Sequence, residues 1–168
     1  MASDEAPQGL VHPIELNQLS LLARRKLCLN PDHFEGWAQL AIGYQQLHDA
    51  DRSEASYLRA IQISPFVPEL FFNLGTLLQD LGRHEEAIQS FTEAQRLNSS
   101  LPSLDYALGC SHKALGEFAQ AEVSFMRSVR QAPLHSEAYL ALGSLLRQLN
   151  RCSDALGLYK RALRVCPM

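Results

Sequence analysis

A pattern that recurs every 34 residues constrains this chain more than any other feature of its sequence. The stretch Pro68–Leu101 predicts two amphipathic helices joined by a tight turn, and the same pattern precedes and follows it. A helix pair of this kind cannot bury its own apolar face, so successive pairs must stack on one another. The repeat therefore predicts an all-α solenoid, whose extended surface suits the binding of a partner better than it suits catalysis.

The period also divides the chain into segments. Residues 1–13 are polar and predict a flexible N-terminal tail, whereas residues 14–30 predict a capping helix in register with the second helices of the later pairs. Four helix-turn-helix units follow, at residues 34–67, 68–101, 102–135 and 136–168. A chain of 168 residues is long enough to form one domain with a substantial core.

Equivalent positions of the four units predict how the helices pack. Each first helix carries a leucine followed by a small residue that lets a neighbour approach closely: Leu40 and Ala41, Leu74 and Gly75, Leu108 and Gly109, Leu142 and Gly143. Each first helix ends at a residue that must tolerate a left-handed backbone, of which the first is the weakest candidate: His48, Gly82, Gly116 and Asn150. Each second helix carries an aromatic ring, expected at the seam between repeats: Tyr57, Phe91, Phe125 and Tyr159.

These residues resemble the tetratricopeptide repeat family. Its pattern is matched in the first unit by Trp37, Leu40, Tyr44, Ala60 and Pro65, and in the second by Leu74, Gly75, Ala87, Phe91 and Ala94. The likeness extends in phase over four units, or about four-fifths of the chain. Three positions depart from the pattern: Asp105 replaces a large apolar residue, Ser53 an alanine and Ser99 a proline.

The resemblance implies a right-handed superhelix whose concave face is lined by the first helix of each unit. The positions that would line this partner groove share one helical face. They are Glu35, Ala38, Ile42, Gln45, Glu69, Phe72, Asn73, Thr76, Gln79, Ser103, Tyr106, Cys110, Lys113, Glu137, Leu140, Ser144 and Arg147.

These groove positions form rows of different chemistry. An apolar strip is expected at Phe72, Tyr106 and Leu140, an acidic edge at Glu35, Glu69 and Glu137, and a basic corner at Lys113 and Arg147. Such an arrangement is complementary to a peptide with apolar anchors and at least one basic side chain. The alternative is that the two aromatic residues belong partly to the core and that the glutamates form an ordinary solvated face.

Two peptide-binding devices of the family are not matched. The two-carboxylate clamp for acidic chaperone tails corresponds here to Ala38, Ile42, Asn73, Ser103 and Ala107, and an asparagine ladder to Gln39, Asn73, Ala107 and Ala141. Only Asn73 carries the required side chain in either set. We therefore expect neither chaperone-tail binding nor an asparagine ladder.

No motif predicts catalysis, a cofactor or a metal. The segment His84–Ile88 begins like the zinc motif H-E-x-x-H, but Ile88 stands where the second histidine is needed. Cys110, Ser111 and His112 are consecutive on a helix and point in different directions, so they cannot form a nucleophile–base pair. Cys110 is expected to be a half-buried, inert thiol near the groove.

Charge and cysteine spacing limit the partners and the compartment. The net charge of −3 gives no overall attraction to nucleic acid, and no segment is apolar enough to span a membrane. The four cysteines, Cys28, Cys110, Cys152 and Cys166, lack paired spacing, and the N-terminus lacks the features of a signal peptide. These observations predict a cytoplasmic protein that binds neither nucleic acid nor membranes.

The sequence thus predicts a non-catalytic module, an adaptor or scaffold, that binds a peptide or protein segment in its groove. One alternative is the substrate-docking arm of a larger enzyme, such as a glycosyltransferase. Another is a self-associating scaffold or secretion chaperone. The last helix has an apolar seam formed by Leu156, Tyr159 and Leu163, and no polar helix follows it in the sequence. This seam is expected to contact a further domain, a partner or a second copy of the chain.

Overall fold

A computed structural model describes residue 21 and residues 23–98, 100–101 and 103–165. All regular secondary structure in these residues is helical. Helix α1 includes residues 21 and 23–29. The later helices are α2 (Phe34–Gln46), α3 (Ala50–Ile63), α4 (Pro68–Asp80), α5 (His84–Leu97), α6 (Leu104–Ala114), α7 (Phe118–Gln131), α8 (Ser136–Gln148) and α9 (Cys152–Val165). The predicted tail and the beginning of the predicted capping helix lie outside the described residues.

The chain forms two compact units, Met1–Pro65 and Phe66–Met168. In the first unit α2 packs against α3. In the second unit α4 packs against α5, α6 against α7 and α8 against α9, and the pairs are joined by contacts of α5 with α6 and of α7 with α8. The predicted all-α fold of tandem helix pairs is confirmed.

The turns between paired helices have the predicted left-handed backbone. Gly82 and Gly116 have φ angles of 74° and 76°, and Asn150 has a φ angle of 61°. His48 adopts the same conformation at 57° although its Cβ disfavours it. Each of these residues follows the C-cap of a first helix, so the second helix can turn back immediately.

A ring-over-glycine contact repeats in the second unit. A Cβ atom built on Gly75, Gly109 or Gly143 would lie 2.6 Å from a ring carbon of Phe91, Phe125 or Tyr159, respectively. The predicted small residues therefore admit an aromatic ring of their own helix pair. Phe125 also belongs to a buried cluster with residues of the next pair, including Leu142, Leu145 and Leu146, as its predicted place at a seam requires.

The departures from the family pattern are accommodated by hydrogen bonds. Ser53 is fully buried, and its hydroxyl donates to the Ala41 carbonyl at 2.9 Å. Asp105 is also buried and accepts a hydrogen bond from Gln95. Ser99 lies outside the described residues. Both described polar groups therefore have a partner, as buried polar groups require.

Candidate functional site

The first helices of the second unit form one surface. Helix α4 contacts α6, and α6 contacts α8. Gln79 Nε2 donates to the Ala107 carbonyl at 3.1 Å and to Ser111 Oγ at 3.0 Å, and Lys113 Nζ donates to Ser144 Oγ at 2.9 Å. These bonds connect α4 to α6 and α6 to α8. Three of the predicted groove residues, Gln79, Lys113 and Ser144, therefore also connect neighbouring repeats.

We call this surface the first-helix face and define it by the predicted groove residues of the second unit. Its most accessible members are Glu69, Ser103, Glu137, Leu140 and Arg147. Its half-buried members are Phe72, Asn73, Thr76, Gln79, Tyr106, Cys110, Lys113 and Ser144. In the separate first unit, Glu35 and Ile42 are exposed, while Ala38 and Gln45 are half-buried. All of these predicted residues retain accessible surface.

Aromatic contacts fix the apolar part of the first-helix face. The Phe72 ring lies 5.7 Å from the Phe91 ring, and the Tyr106 ring lies 5.9 Å from the Phe125 ring, both centroid to centroid. Because Phe91 and Phe125 are fully buried, the core holds both surface rings in place. The rings are therefore preorganised, which lowers the entropy lost when a ligand binds.

A third ring lies on this face, and the sequence pattern does not predict it. His135 packs edge-on against Tyr106 with centroids 5.0 Å apart, and its Nε2 lies 3.3 Å from the Glu137 carboxylate. From sequence, His135 is expected to have only a surface or capping role. Its position, two residues before a predicted groove glutamate, is the one sequence signal that points to the face.

Burial controls the titration of the side chains around Tyr106. Burial raises the pKa of Tyr106 to about 12, helped by Cys110 and Glu137. Burial also raises the pKa of the Cys110 thiol, although the Tyr106 hydroxyl and Lys113 act in the opposite direction. Both groups are therefore protonated at neutral pH. A protonated thiol is a weak nucleophile, in agreement with the expected inert cysteine.

Cys110, Ser111 and His112 do not act together. Ser111 is fully buried and accepts a hydrogen bond from Gln79. His112 Nδ1 instead lies 2.6 Å from a carboxylate oxygen of Glu117, in the turn that follows α6. The three side chains thus have separate partners, as their consecutive positions on one helix predict.

Charged groups lie at both ends of α8. Glu137 is in its first turn and Arg147 in its last, and the helical rise places them about 15 Å apart. Ser144, Arg147 and Gln148 line an open polar cavity of about 380 Å³ at the basic end. Leu140 lies between the charged ends and is 48% exposed. The face therefore combines an acidic end, apolar side chains and a basic end along one helix.

The described residues contain no group of three or more histidine, cysteine, aspartate or glutamate side chains that could hold a metal ion. Among the helices in this part of the chain, none has the length and hydropathy needed to cross a membrane.

Comparisons with known proteins agree with the architecture. Two family models described as "Tetratricopeptide repeat" match residues 106–167 and 56–89. A search of curated proteins finds no significant match to this sequence.

Several solved structures are similar to this chain. PilF of Pseudomonas aeruginosa has a TM-score of 0.85 at 22% identity, covering 92% of this chain and 70% of its own. MamA of Desulfovibrio magneticus RS-1 has a TM-score of 0.83 at 12% identity, covering 89% of this chain and 85% of its own. YrrB, described as a TPR protein with an unusual peptide-binding site, has a TM-score of 0.77 at 19% identity, covering 92% and 79%. At these identities the likeness shows the fold alone.

Proposed function

Because the chain belongs to the tetratricopeptide repeat family, we propose that its first-helix face binds an extended peptide segment of a protein partner. The family typically mediates protein–protein interactions. The observation that most supports this role is the row of half-buried rings held against buried aromatic residues, with opposite charges beyond it. We assign the chain no catalysis of its own, and its cytoplasmic location remains a prediction.

The dimensions of the face suggest the form of the ligand. The 15 Å between Glu137 and Arg147 corresponds to about four or five residues of extended chain. Apolar side chains of the peptide would pack on Phe72, Tyr106 and Leu140. A basic side chain would lie near the glutamates, and an acidic group near Lys113 and Arg147, because complementary charges fix the orientation of a bound segment.

A displayed library of random twelve-residue peptides tests the proposal even while the natural partner is unidentified. Peptides selected on the full chain are expected to lose most of their binding when Phe72 and Tyr106 are both replaced by alanine, because both apolar anchors are removed. The control replaces Val123 and Met126 by alanine, which removes exposed apolar side chains from α7, the second helix of its pair. Circular dichroism confirms that each variant remains helical. Equal binding by the two double variants would exclude the first-helix face.

A second candidate function is self-association through the apolar seam of α9. Phe91 and Phe125 are fully buried where another helix pair follows them, but their equivalent Tyr159 is only half-buried. Leu156 and Leu163 on the same helix are 54% and 60% exposed. We propose that the seam packs against a second copy of the chain, because exposed apolar side chains clustered on one helix favour association.

Light scattering over a concentration series measures this association. The wild-type chain is expected to form a dimer that Tyr159→Glu and Leu163→Glu each weaken, while Leu134→Glu, at an exposed turn position, leaves it unchanged. Tyr159 also packs over Gly143, so replacing Tyr159 perturbs the fold as well as the seam. Leu163→Glu therefore tests the seam without removing that contact. A wild-type chain that stays monomeric at high concentration contradicts self-association.

A further inference from the structure

The third helix pair, α6 and α7, borders a cavity of about 170 Å³, lined by Ser100, Ser103, Asp105, Ser128, Gln131 and Ala132. Three of the lining residues are polar where the other units are apolar. Asp105 stands in the position of Trp37, Phe71 and Tyr139, Ser128 in that of Ala60, Ala94 and Ala162, and Gln131 in that of Ile63, Leu97 and Val165. Buried polar groups destabilise a fold unless they find partners. Asp105 and Ser128 are buried, and the exposed Gln131 lies at the same cavity, so the site suits a polar occupant.

The central group of the cavity is a buried carboxylate. Asp105 is 3% exposed, and its Oδ1 accepts a hydrogen bond from Gln95 Nε2 at 3.1 Å. No donor from the described residues reaches its Oδ2. Burial raises the pKa of Asp105 more than nearby Arg127 and the Gln95 hydrogen bond lower it. Burial therefore costs the ionised carboxylate more than Arg127 and Gln95 offset, and a cation in the cavity would add a favourable charge.

The other lining groups determine which cation fits. Serine hydroxyls and the Gln131 amide oxygen accept hydrogen bonds, so the cavity suits a ligand with several N–H donors. Gln95 already uses one acceptor site of Oδ1, whereas Oδ2 keeps both of its sites for a ligand. An ammonium group needs only Oδ2 and neutral acceptors. The described residues contain no group of three or more histidine, cysteine, aspartate or glutamate side chains that could hold a metal ion here.

We propose that this cavity binds a primary ammonium group, with Asp105 as the counter-charge and Ser103, Ser128 and Gln131 as hydrogen-bond acceptors. The ammonium group comes either from a free alkylamine or from the lysine side chain of a protein. The site is separate from peptide binding on the first-helix face and does not depend on it.

NMR titration of the full chain with n-butylammonium, in phosphate buffer at neutral pH, tests the proposal. We expect saturable shifts of the amide signals of Ser100, Ser103 and Gln131, with a dissociation constant in the millimolar range. Tetramethylammonium has the same charge but no N–H donor, and should bind at least about tenfold more weakly. Absence of saturable butylammonium binding would overturn the proposal and leave the cavity as a hydrated void.

Two variants at position 105 distinguish the contribution of the carboxylate charge from that of the cavity volume. Asp105→Asn keeps the size of the side chain and its acceptor for Gln95, and should weaken butylammonium binding at least about tenfold. Asp105→Phe introduces the ring that the chain has at the equivalent Phe71, and should abolish binding by filling the cavity. Asp105→Asn with wild-type affinity would contradict the proposal even if the phenylalanine variant did not fold.

A last comparison identifies the source of the ammonium group. Putrescine represents a free amine, and an acetylated and amidated Gly-Lys-Gly peptide represents a lysine side chain. Tighter binding of the peptide supports a protein lysine, and tighter binding of putrescine supports a small amine. Acetylation of the lysine removes its charge and should eliminate peptide binding. Undiminished binding of the acetylated peptide would show that the ammonium group is not what is recognised.

Discussion

In the pair α4–α5 the Phe91 ring lies over Gly75, and in the pair α6–α7 the Phe125 ring lies over Gly109, with the same 2.6 Å between a Cβ built on the glycine and the ring. Both pairs also turn at a glycine with a left-handed backbone. Their backbones are thus held by the same contacts. Sequence identity at these packing positions is enough to specify two copies of one helix pair.

The same two pairs differ beside this shared contact. The pair α4–α5 has Phe71, Ala94 and Leu97 at the positions where the pair α6–α7 has Asp105, Ser128 and Gln131. These differences leave the helix pair intact and replace apolar side chains by polar ones that line a cavity. Packing positions therefore fix the fold, and neighbouring positions are free to give each pair its own chemistry.

The largest expected effect comes from introducing an aspartate into the pair α4–α5, at the position equivalent to Asp105. Phe71→Asp should lower the free energy of unfolding by about 2–4 kcal/mol, because it removes a half-buried ring and introduces a carboxylate among apolar residues. Urea unfolding measures the loss. Adding Ala94→Ser and Leu97→Gln recreates the polar lining and should recover part of it. No recovery would show that the three polar residues of the third pair do not support one another.

Placing a methyl group under the ring tests what the two pairs share. Gly75→Ala and Gly109→Ala should each destabilise the chain by about 1–3 kcal/mol, because the added carbon overlaps a buried ring. Gly157→Ala is the matched control: it lies in helix α9 with nothing within 4 Å of the new Cβ, and should stabilise by about 0.5–1 kcal/mol through helix propensity. Strongly unequal losses at positions 75 and 109 would mean that the contact is not equivalent in the two pairs.

The turn of the first unit lacks the glycine that both of these pairs have. His48→Gly should stabilise the chain by about 0.5–1 kcal/mol, because a φ angle of 57° strains a residue with a Cβ. Thermal unfolding measures the gain. Gly82→Ala and Gly116→Ala are the reverse changes and should destabilise. A loss of stability in His48→Gly would show that the histidine side chain makes a contact worth more than the strain.

The smallest expected effect concerns the charge of Asp105. Its folded-state pKa is raised above the unfolded value of about 3.9, so this group favours the folded state below that pH and loses the contribution as the pH rises through the folded pKa. Asp105→Asn should therefore be more stable than the wild type at pH 7, by under about 1 kcal/mol, with a smaller difference at pH 3.5. Thermal unfolding in amine-free buffer checks this. A difference that grows toward acid pH would contradict the raised pKa.

Prediction from sequence succeeded wherever a physical requirement repeats. Four left-handed turns, at His48, Gly82, Gly116 and Asn150, are predictable because a helix that reverses direction needs such a residue each time. The small residues of the first helices are predictable for the same reason. The contacts of the aromatic ring in each second helix are only partly predictable. The ring packs over the glycine of its own helix pair, and Phe125 also contacts the next pair. The sequence pattern does not distinguish this arrangement from a ring that contacts the next pair alone.

The candidate site was less predictable than the fold. The positions expected to line the groove do retain accessible surface, but Gln79 and Lys113 also tie neighbouring first helices together. His135 belongs to the face through a ring contact with Tyr106, 29 positions earlier in the sequence. Each of these contacts occurs once in the described part of the chain, so the 34-residue period of the sequence does not predict it.

The sequence by itself determined the all-α architecture, the positions of its turns and the residues of its core, because burial and backbone strain act on every repeat alike. Only the tertiary structure decided which surface side chains are held by the core or by neighbouring helices. It also brought Asp105, Ser128 and Gln131 to one cavity. These residues come from two helices, and their proximity depends on how the helices pack, which no local pattern specifies.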